Sequence, residues 1–164
     1  MDWKLVFGFA QGIHCCSNWS LAFEFVLFPS ISRFVFCDEY GCDSDVIRGL
    51  IFCSRIDEAR QLSIAFNLRG FNTLPITGGD SENAREDAIR RLESDGDDKL
   101  DYLFTVDVFN EGVDIPQVNQ VVMLRPTTSA IIFVQQLGRG LRKAVGKDYV
   151  TVIDFIGNYQ NNYL

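Results

Sequence analysis

Two arginines toward the carboxyl end of the chain have the spacing of a pair on one face of a helix. With about 100° between successive residues of an α-helix, Gln135, Gly138, Arg139 and Arg142 fall within one narrow sector. A different sector collects the apolar residues Ala130, Phe133, Val134, Leu137 and Leu141. Because guanidinium groups are planar and stay charged, the pair would suit phosphoryl oxygens. For two arginines alone, a solvated basic helix face is the simpler interpretation.

A second candidate site precedes this helix, in the segment from Val106 to Pro116. Gly112 permits a ligand to approach the backbone closely or the chain to take a positive φ. The carboxylate of Asp114 can accept hydrogen bonds from hydroxyl groups. The alternative interpretation is an ordinary glycine-containing loop with a capping aspartate.

Further candidates lie where predicted strands give way to predicted helices. Ser54 and Arg55 follow one strand, and Thr77 and Gly78 follow the next. Backbone N–H groups at the start of a helix form natural anion sites, and Ser54 has the side chain of a helix cap. Ordinary helix capping is the alternative role for these residues.

These residues are positioned by an alternation of short apolar runs and helical patterns. The predicted strands are Leu50 to Cys53, Asn72 to Ile76, Tyr102 to Val106, Val118 to Leu124 and Tyr149 to Phe155. One helix, which Ser54 can cap, carries Ala59, Leu62, Ala65 and Phe66 and ends at Gly70. Asp80 or Ser81 caps the next helix. This alternation predicts an α/β fold with an open, mainly parallel sheet and helices on both faces. Ligands should then bind at the carboxyl ends of the strands.

The motifs together resemble those of superfamily 2 helicases and translocases. V-D-V-F-N-E-G-V-D-I-P resembles motif V, Q-Q-L-G-R-G-L-R resembles motif VI, and G-L-I-F-C-S-R resembles motif IV. Thr77-Gly78-Gly79 stands where that family often has a His-Gly or Thr-Gly step. The similarity covers roughly residues 40 to 164 and is closest to the DEAD/DEAH-like group that includes restriction-enzyme motors. Four motifs in order form a strong signal.

The resemblance implies the carboxyl-terminal RecA-like lobe of an enzyme that uses ATP with Mg²⁺. It assigns arginine-finger roles to Arg139 and Arg142, favouring Arg142, with Gln135 beside the phosphate. It places nucleotide contacts at Gly112, Asp114 and Gly138, and nucleic-acid backbone contacts at Ser54, Arg55, Thr77, Gly78 and Thr105. Two positions depart from the family pattern. Gln136 stands where many relatives have an arginine, and Thr105 precedes Gly112 by one residue more than is common.

The phosphate loop of the amino-terminal lobe does not occur in this sequence. No G-x-x-x-x-G-K-[ST] is present, and Gly146-Lys147-Asp148 is the nearest approach. The run from Phe34 to Glu39 resembles a Walker B strand, but an acidic turn is the better interpretation without a Walker A motif. We therefore expect an inactive isolated chain that needs a partner lobe. The rival hypothesis is a non-enzymatic α/β interaction module or a degenerate helicase fragment.

Composition limits the remaining possibilities. The 164 residues fit one domain, and a net charge of -7 disfavours a free-standing nucleic-acid binder. The cysteine spacing favours reduced thiols over a zinc site. Residues 1–36 contain seven phenylalanines and few charges, so we expect them to lie outside a domain spanning residues 37–164. We also expect a cytoplasmic protein with no membrane span, acting on nucleic acid, with DNA favoured over RNA.

Overall fold

The computed structural model describes residues 46–106, 108, 115–125, 147 and 149–154, and the backbone of residues 5–8. Within these residues, two helices and six strands follow one another along the chain. They are β1 (Leu5–Gly8), β2 (Gly49–Phe52), α1 (Ile56–Asn67), β3 (Thr73–Thr77), α2 (Glu82–Glu93), β4 (Tyr102–Val106), β5 (Gln120–Met123) and β6 (Val150–Asp154).

The six strands form one sheet in the order β1-β6-β5-β2-β4-β3. Each neighbouring pair is parallel. The residues of the central strands β2 and β4 are all buried, as expected for a parallel sheet covered on both faces. The predicted fold class is therefore confirmed, and the five predicted strands all occur.

The two helices cover opposite faces of the sheet. One apolar cluster combines Ala88 and Leu92 of α2 with side chains that include Leu50 and Phe52 of β2. The other cluster combines Ala59, Leu62 and Phe66 of α1 with residues that include Ile51, Tyr102 and Phe104. Alternate residues of β2 thus enter different clusters, because successive side chains of a strand point to opposite faces.

Helix α1 ends in a Schellman motif, as the glycine at position 70 suggests. Gly70 has a φ of 87°, which glycine adopts without the steric cost of a side chain. The Phe71 amide donates to the Phe66 carbonyl at 3.2 Å, and the Gly70 amide donates to the Asn67 carbonyl at 3.1 Å. The rings of Phe66 and Phe71 pack with centroids 5.3 Å apart. This apolar contact directs the chain back into β3.

Strand β1 is the element that the sequence did not suggest. Leu5–Gly8 pairs in parallel with β6, from Leu5 opposite Val150 to Gly8 opposite Ile153. These four residues therefore belong to the edge of the sheet, although we expected residues 1–36 to lie apart from it. The domain boundary near residue 37 stays a prediction.

In the part of the chain that the structure describes, neither helix has the length and apolar character needed to cross a bilayer.

Candidate nucleic-acid interface

The carboxyl ends of three adjacent strands bring most of the predicted contact residues to one edge of the sheet. Strand β4 lies between β2 and β3. Thr105 is level with Phe52 on one side and with Ile76 on the other. The turn that carries Ser54 and Arg55 and the turn that carries Thr77 and Gly78 therefore flank β4. This edge is where parallel α/β sheets bind ligands.

The turn between β2 and α1 does not use the expected cap. Arg55 occupies the N-cap position, and its side chain makes no capping hydrogen bond. The Ser54 amide donates to Glu58 Oε2 at 3.0 Å. The Ser54 hydroxyl is buried and has no hydrogen-bond partner among the described residues. The prediction that Ser54 caps α1 is therefore wrong, because Arg55 rather than Ser54 occupies the N-cap position and the Ser54 hydroxyl accepts no first-turn amide.

Two titratable groups at this turn have shifted pKa values. Burial raises the pKa of Glu58 above its usual 4.5, although the N–H groups of Ser54 and Arg55 and the Arg55 charge oppose that shift. Burial, together with the charge of Glu58, also raises the pKa of the Cys53 thiol. Since the thiolate is the reactive form of cysteine, Cys53 is an apolar core residue with no nucleophilic character.

Arg55 is the exposed cation of this turn. Its side chain is 76% accessible and lies 3.8 Å from the carboxylate of Asp57, which is 74% accessible. Exposed pairs of this kind contribute little to stability. The guanidinium of Arg55 is therefore available to another anion.

The turn between β3 and α2 is organised by an aspartate and a serine. The Thr77 amide and hydroxyl both donate to Asp80 Oδ2, at 2.6 and 2.9 Å. The Asp80 amide returns a bond to the Thr77 carbonyl at 3.1 Å. Ser81 caps α2 by accepting a hydrogen bond from the Ala84 amide at 3.3 Å. Ser81 is one of the two alternative residues, Asp80 and Ser81, that the sequence predicted as the cap of this helix.

Gly78 and Gly79 form an open stretch of backbone within this turn. Neither has a positive φ, since Gly70 alone does among the described glycines. A Cβ at Gly78 would meet no atom of the described residues within 4 Å, and one at Gly79 would lie 3.8 Å from the Thr77 hydroxyl. In the described part of the chain, neither glycine amide donates a hydrogen bond. Among the described residues, neither a positive φ nor a close contact requires glycine at these two positions.

Arg85 is a functional candidate that the sequence reasoning missed. It lies on α2, and its Nη2 donates to the Gly78 carbonyl at 2.8 Å. Its Nε is buried and lacks a hydrogen-bond partner within the described residues. The guanidinium thus brings a positive charge to the two glycines. The sequence signal that could have found Arg85 is its position one turn into the helix, close to the β3–α2 turn.

Thr105 does not join the exposed residues at this edge. It is 1% exposed, and its hydroxyl donates to the Ile51 carbonyl at 3.5 Å. The structure thus brings Ser54, Arg55, Thr77 and Gly78 to one edge and leaves Thr105 beneath it.

The remaining predicted site residues lie outside the described residues. They are the proposed phosphate-side residues Gln135, Arg139 and Arg142 and the proposed nucleotide contacts Gly112, Asp114 and Gly138.

Comparison with known protein families gives a match over most of the chain. Residues 34–144 match the family described as the helicase conserved C-terminal domain.

Curated relatives carry helicase names. The chain is 32% identical over 104 residues to a putative ATP-dependent helicase, IRC3, of Saccharomyces cerevisiae, covering 62% of this chain and 15% of that protein. It is also 32% identical over 103 residues to the ATP-dependent rRNA helicase rrp3 of Aspergillus oryzae, covering 63% and 21%. The chain therefore spans about a fifth or less of these two relatives.

The fold is shared with solved helicase structures. A fragment of a putative HsdR subunit of a type I restriction enzyme from Vibrio vulnificus superposes with a TM-score of 0.64 at 22% identity. That superposition covers 77% of this chain and 26% of the other. At such identity the likeness supports the fold alone.

Proposed function

The chain belongs to the helicase conserved C-terminal domain family, and from that premise we propose that it is the nucleic-acid-binding lobe of an ATP-dependent helicase or translocase. The fold supports this proposal, as do the ATP-dependent helicase names of the two curated relatives. Since the chain covers only 15% and 21% of those proteins, the activity of a whole enzyme is part of the proposal.

The observation that carries the nucleic-acid role is the pair of open glycines at the end of β3. Gly78 and Gly79 offer two adjacent amide donors with space beside them. Arg85 places a guanidinium on the same loop. Amide donors next to a fixed positive charge suit a phosphate group. We therefore propose that one backbone phosphate binds at Gly78 and Gly79.

A second backbone phosphate would bind near Arg55, on the other side of β4. The accessible guanidinium of Arg55 supports that contact. Thr77 contributes by holding Asp80 and thereby the shape of its turn. Thr105 has no part in the proposed interface because it is buried. Contacts of this kind fix the position of a strand and carry no base information.

The chemical role in ATP hydrolysis rests on the resemblance of the carboxyl-terminal motifs. In the proposal, Arg139 and Arg142 stabilise the charge that develops on the transferred phosphoryl group, with Gln135 beside them. Gly112, Asp114 and Gly138 would contact the nucleotide. The phosphate loop and Mg²⁺ would come from an amino-terminal lobe, because the sequence contains no G-x-x-x-x-G-K-[ST].

The expected preference for DNA over RNA finds no support among the curated relatives, since one of the two described is named an rRNA helicase. The proposed phosphate contacts do not distinguish the two nucleic acids. We therefore propose single-stranded RNA as the first ligand to test, with DNA of the same sequence beside it.

The test uses the whole 164-residue chain labelled with ¹⁵N. Titration with a short oligouridylate at low salt should shift the amide signals of Gly78 and Gly79, and binding should weaken steeply as salt rises. Phosphate release from ATP should stay at background with or without the oligonucleotide, because no phosphate loop is present. Unmoved glycine signals with both RNA and DNA would overturn the nucleic-acid role. They would favour a non-enzymatic interaction module instead.

A further inference from the structure

The turn between β2 and α1 already holds an anion, and that anion belongs to the chain itself. Glu58 lies in the first turn of α1, and its Oε2 accepts the Ser54 amide hydrogen at 3.0 Å. The same glutamate also interacts with the Arg55 amide. A carboxylate oxygen therefore takes the place at the start of α1 where a phosphate oxygen would accept the same hydrogen bonds.

This contact is half of a capping box. In the complete arrangement, a serine or threonine at the N-cap would bond the backbone of the first turn while the glutamate reaches back. Here the N-cap residue is Arg55, which makes no side-chain bond to the helix. The Ser54 hydroxyl beside it is buried and also lacks a partner among the described residues. The turn thus has two amide donors that interact with Glu58 and a hydroxyl donor, that of Ser54, that nothing in the described chain satisfies.

We propose that Glu58 is an internal competitor of phosphate, which must leave the Ser54 amide before a nucleic-acid strand can bind this turn. The inference rests on the proposed function and adds a means by which the chain sets its own affinity. Once the carboxylate has moved, the Ser54 amide and the Arg55 guanidinium would both face the incoming phosphate. The Ser54 hydroxyl would gain an acceptor as well.

Two features make the carboxylate displaceable. Glu58 is only partly buried, so a change of rotamer can carry its side chain into solvent. Burial also disfavours its ionised form, since the pKa of Glu58 is raised despite the amide bonds. The charged carboxylate therefore regains hydration when it leaves. Before it leaves, its negative charge would repel an approaching phosphate.

The experiment compares the whole chain with Glu58→Ala and Glu58→Gln variants. Glu93→Gln is the matched control, because it removes one carboxylate charge by the same kind of substitution at the last residue of α2, at the end of that helix away from the turns. Affinity for the oligouridylate is measured by fluorescence anisotropy, and the amide signals of Ser54 and Gly78 are followed by NMR. Thermal melts establish that each variant is folded.

If Glu58 competes with phosphate, Glu58→Ala should bind the RNA about tenfold more tightly, the gain expected from one charge-assisted hydrogen bond. The Ser54 amide should then shift on titration in Glu58→Ala and much less in the parent chain. Glu58→Gln, which keeps an acceptor but loses the charge, should fall between the two. Glu93→Gln should change affinity by less than about twofold.

The opposite outcomes are distinct. In one outcome, the Gly78 amide signal shifts in all variants, but neither the RNA affinity nor the shift of the Ser54 amide signal depends on Glu58. The glutamate is then only a helix cap, and the inference is wrong. If neither amide shifts in any variant, the proposed function fails and the inference fails with it. Should Glu58→Ala unfold, the same comparison is made with Glu58→Gln.

Discussion

The turns after β2 and β3 occupy equivalent places in the fold and differ in what they offer a ligand. Each leads from the carboxyl end of a parallel strand into a helix of twelve residues. At the first turn, Glu58 takes the Ser54 amide and no hydroxyl caps the helix. At the second, Ser81 caps the helix and two glycine amides stay open beside Arg85. Position in the sheet therefore does not determine whether a turn is ready for phosphate.

The difference comes from a few local residues. An acidic side chain holds the end of each strand, because Asp80 bonds Thr77 much as Glu58 bonds Ser54. The second turn adds Gly78 and Gly79 between the strand and its aspartate. Asp80 accepts hydrogen bonds from Thr77, and Ser81 accepts one from the Ala84 amide. Among the described residues, the Gly78 and Gly79 amides donate no hydrogen bond. In the proposed function, these unused backbone donors make the second turn the better candidate for binding an anion.

The largest expected effect concerns Arg85, which is found only at the second turn. Arg85→Ala should weaken RNA binding about tenfold or more, since it removes a charge-assisted contact and releases the Gly78 carbonyl. Arg90→Ala is the matched control, because it removes the same charge from the same helix at a residue that pairs with Asp87. Fluorescence anisotropy at one salt concentration measures both. Equal losses of RNA affinity in the two variants would show that Arg85 contributes only its charge and makes no specific contact.

A pair of glycine variants separates ligand access from backbone strain. Gly78→Ala should change the free energy of unfolding by no more than about 0.5 kcal/mol, since the added Cβ would meet no atom of the described residues within 4 Å, and it should weaken RNA binding several-fold. Gly70→Ala should cost about 1 kcal/mol of stability because Gly70 has a positive φ. It should leave binding unchanged. Urea unfolding and the RNA-binding assay check both variants. A loss of stability in Gly78→Ala would contradict the open space beside Gly78.

The smallest effect concerns the two serines, which look alike in the sequence. Ser81→Ala should lower the free energy of unfolding by about 1 kcal/mol, the usual loss for a helix cap. Ser54→Ala should be neutral or slightly stabilising, because the hydroxyl that it removes is buried without a partner in the described structure. Urea unfolding at neutral pH distinguishes the two. A comparable loss at Ser54 would show that its hydroxyl does make a stabilising bond.

The sequence by itself determined the fold class and every described element except β1. Strand β4 has the predicted bounds, Tyr102–Val106, and the buried residues of α1 include Ala59, Leu62 and Phe66, which the helical spacing had placed on one face. Local signals sufficed here because side-chain periodicity and glycine conformation depend on neighbouring residues. The same local patterns carried the motifs that identified the family.

Only the tertiary structure decided the strand order, the pairing of Leu5–Gly8 with β6, and the partners of individual polar groups. Thr105 looked like a surface contact until its strand was placed between β2 and β3, where its side chain is buried. Ser54 looked like a cap, but a carboxylate four residues away takes its amide. Arg85 became a candidate because α2 carries it to Gly78. The physical reason is that strand pairing and hydrogen bonds depend on distances across the folded chain, which local sequence periodicity does not contain.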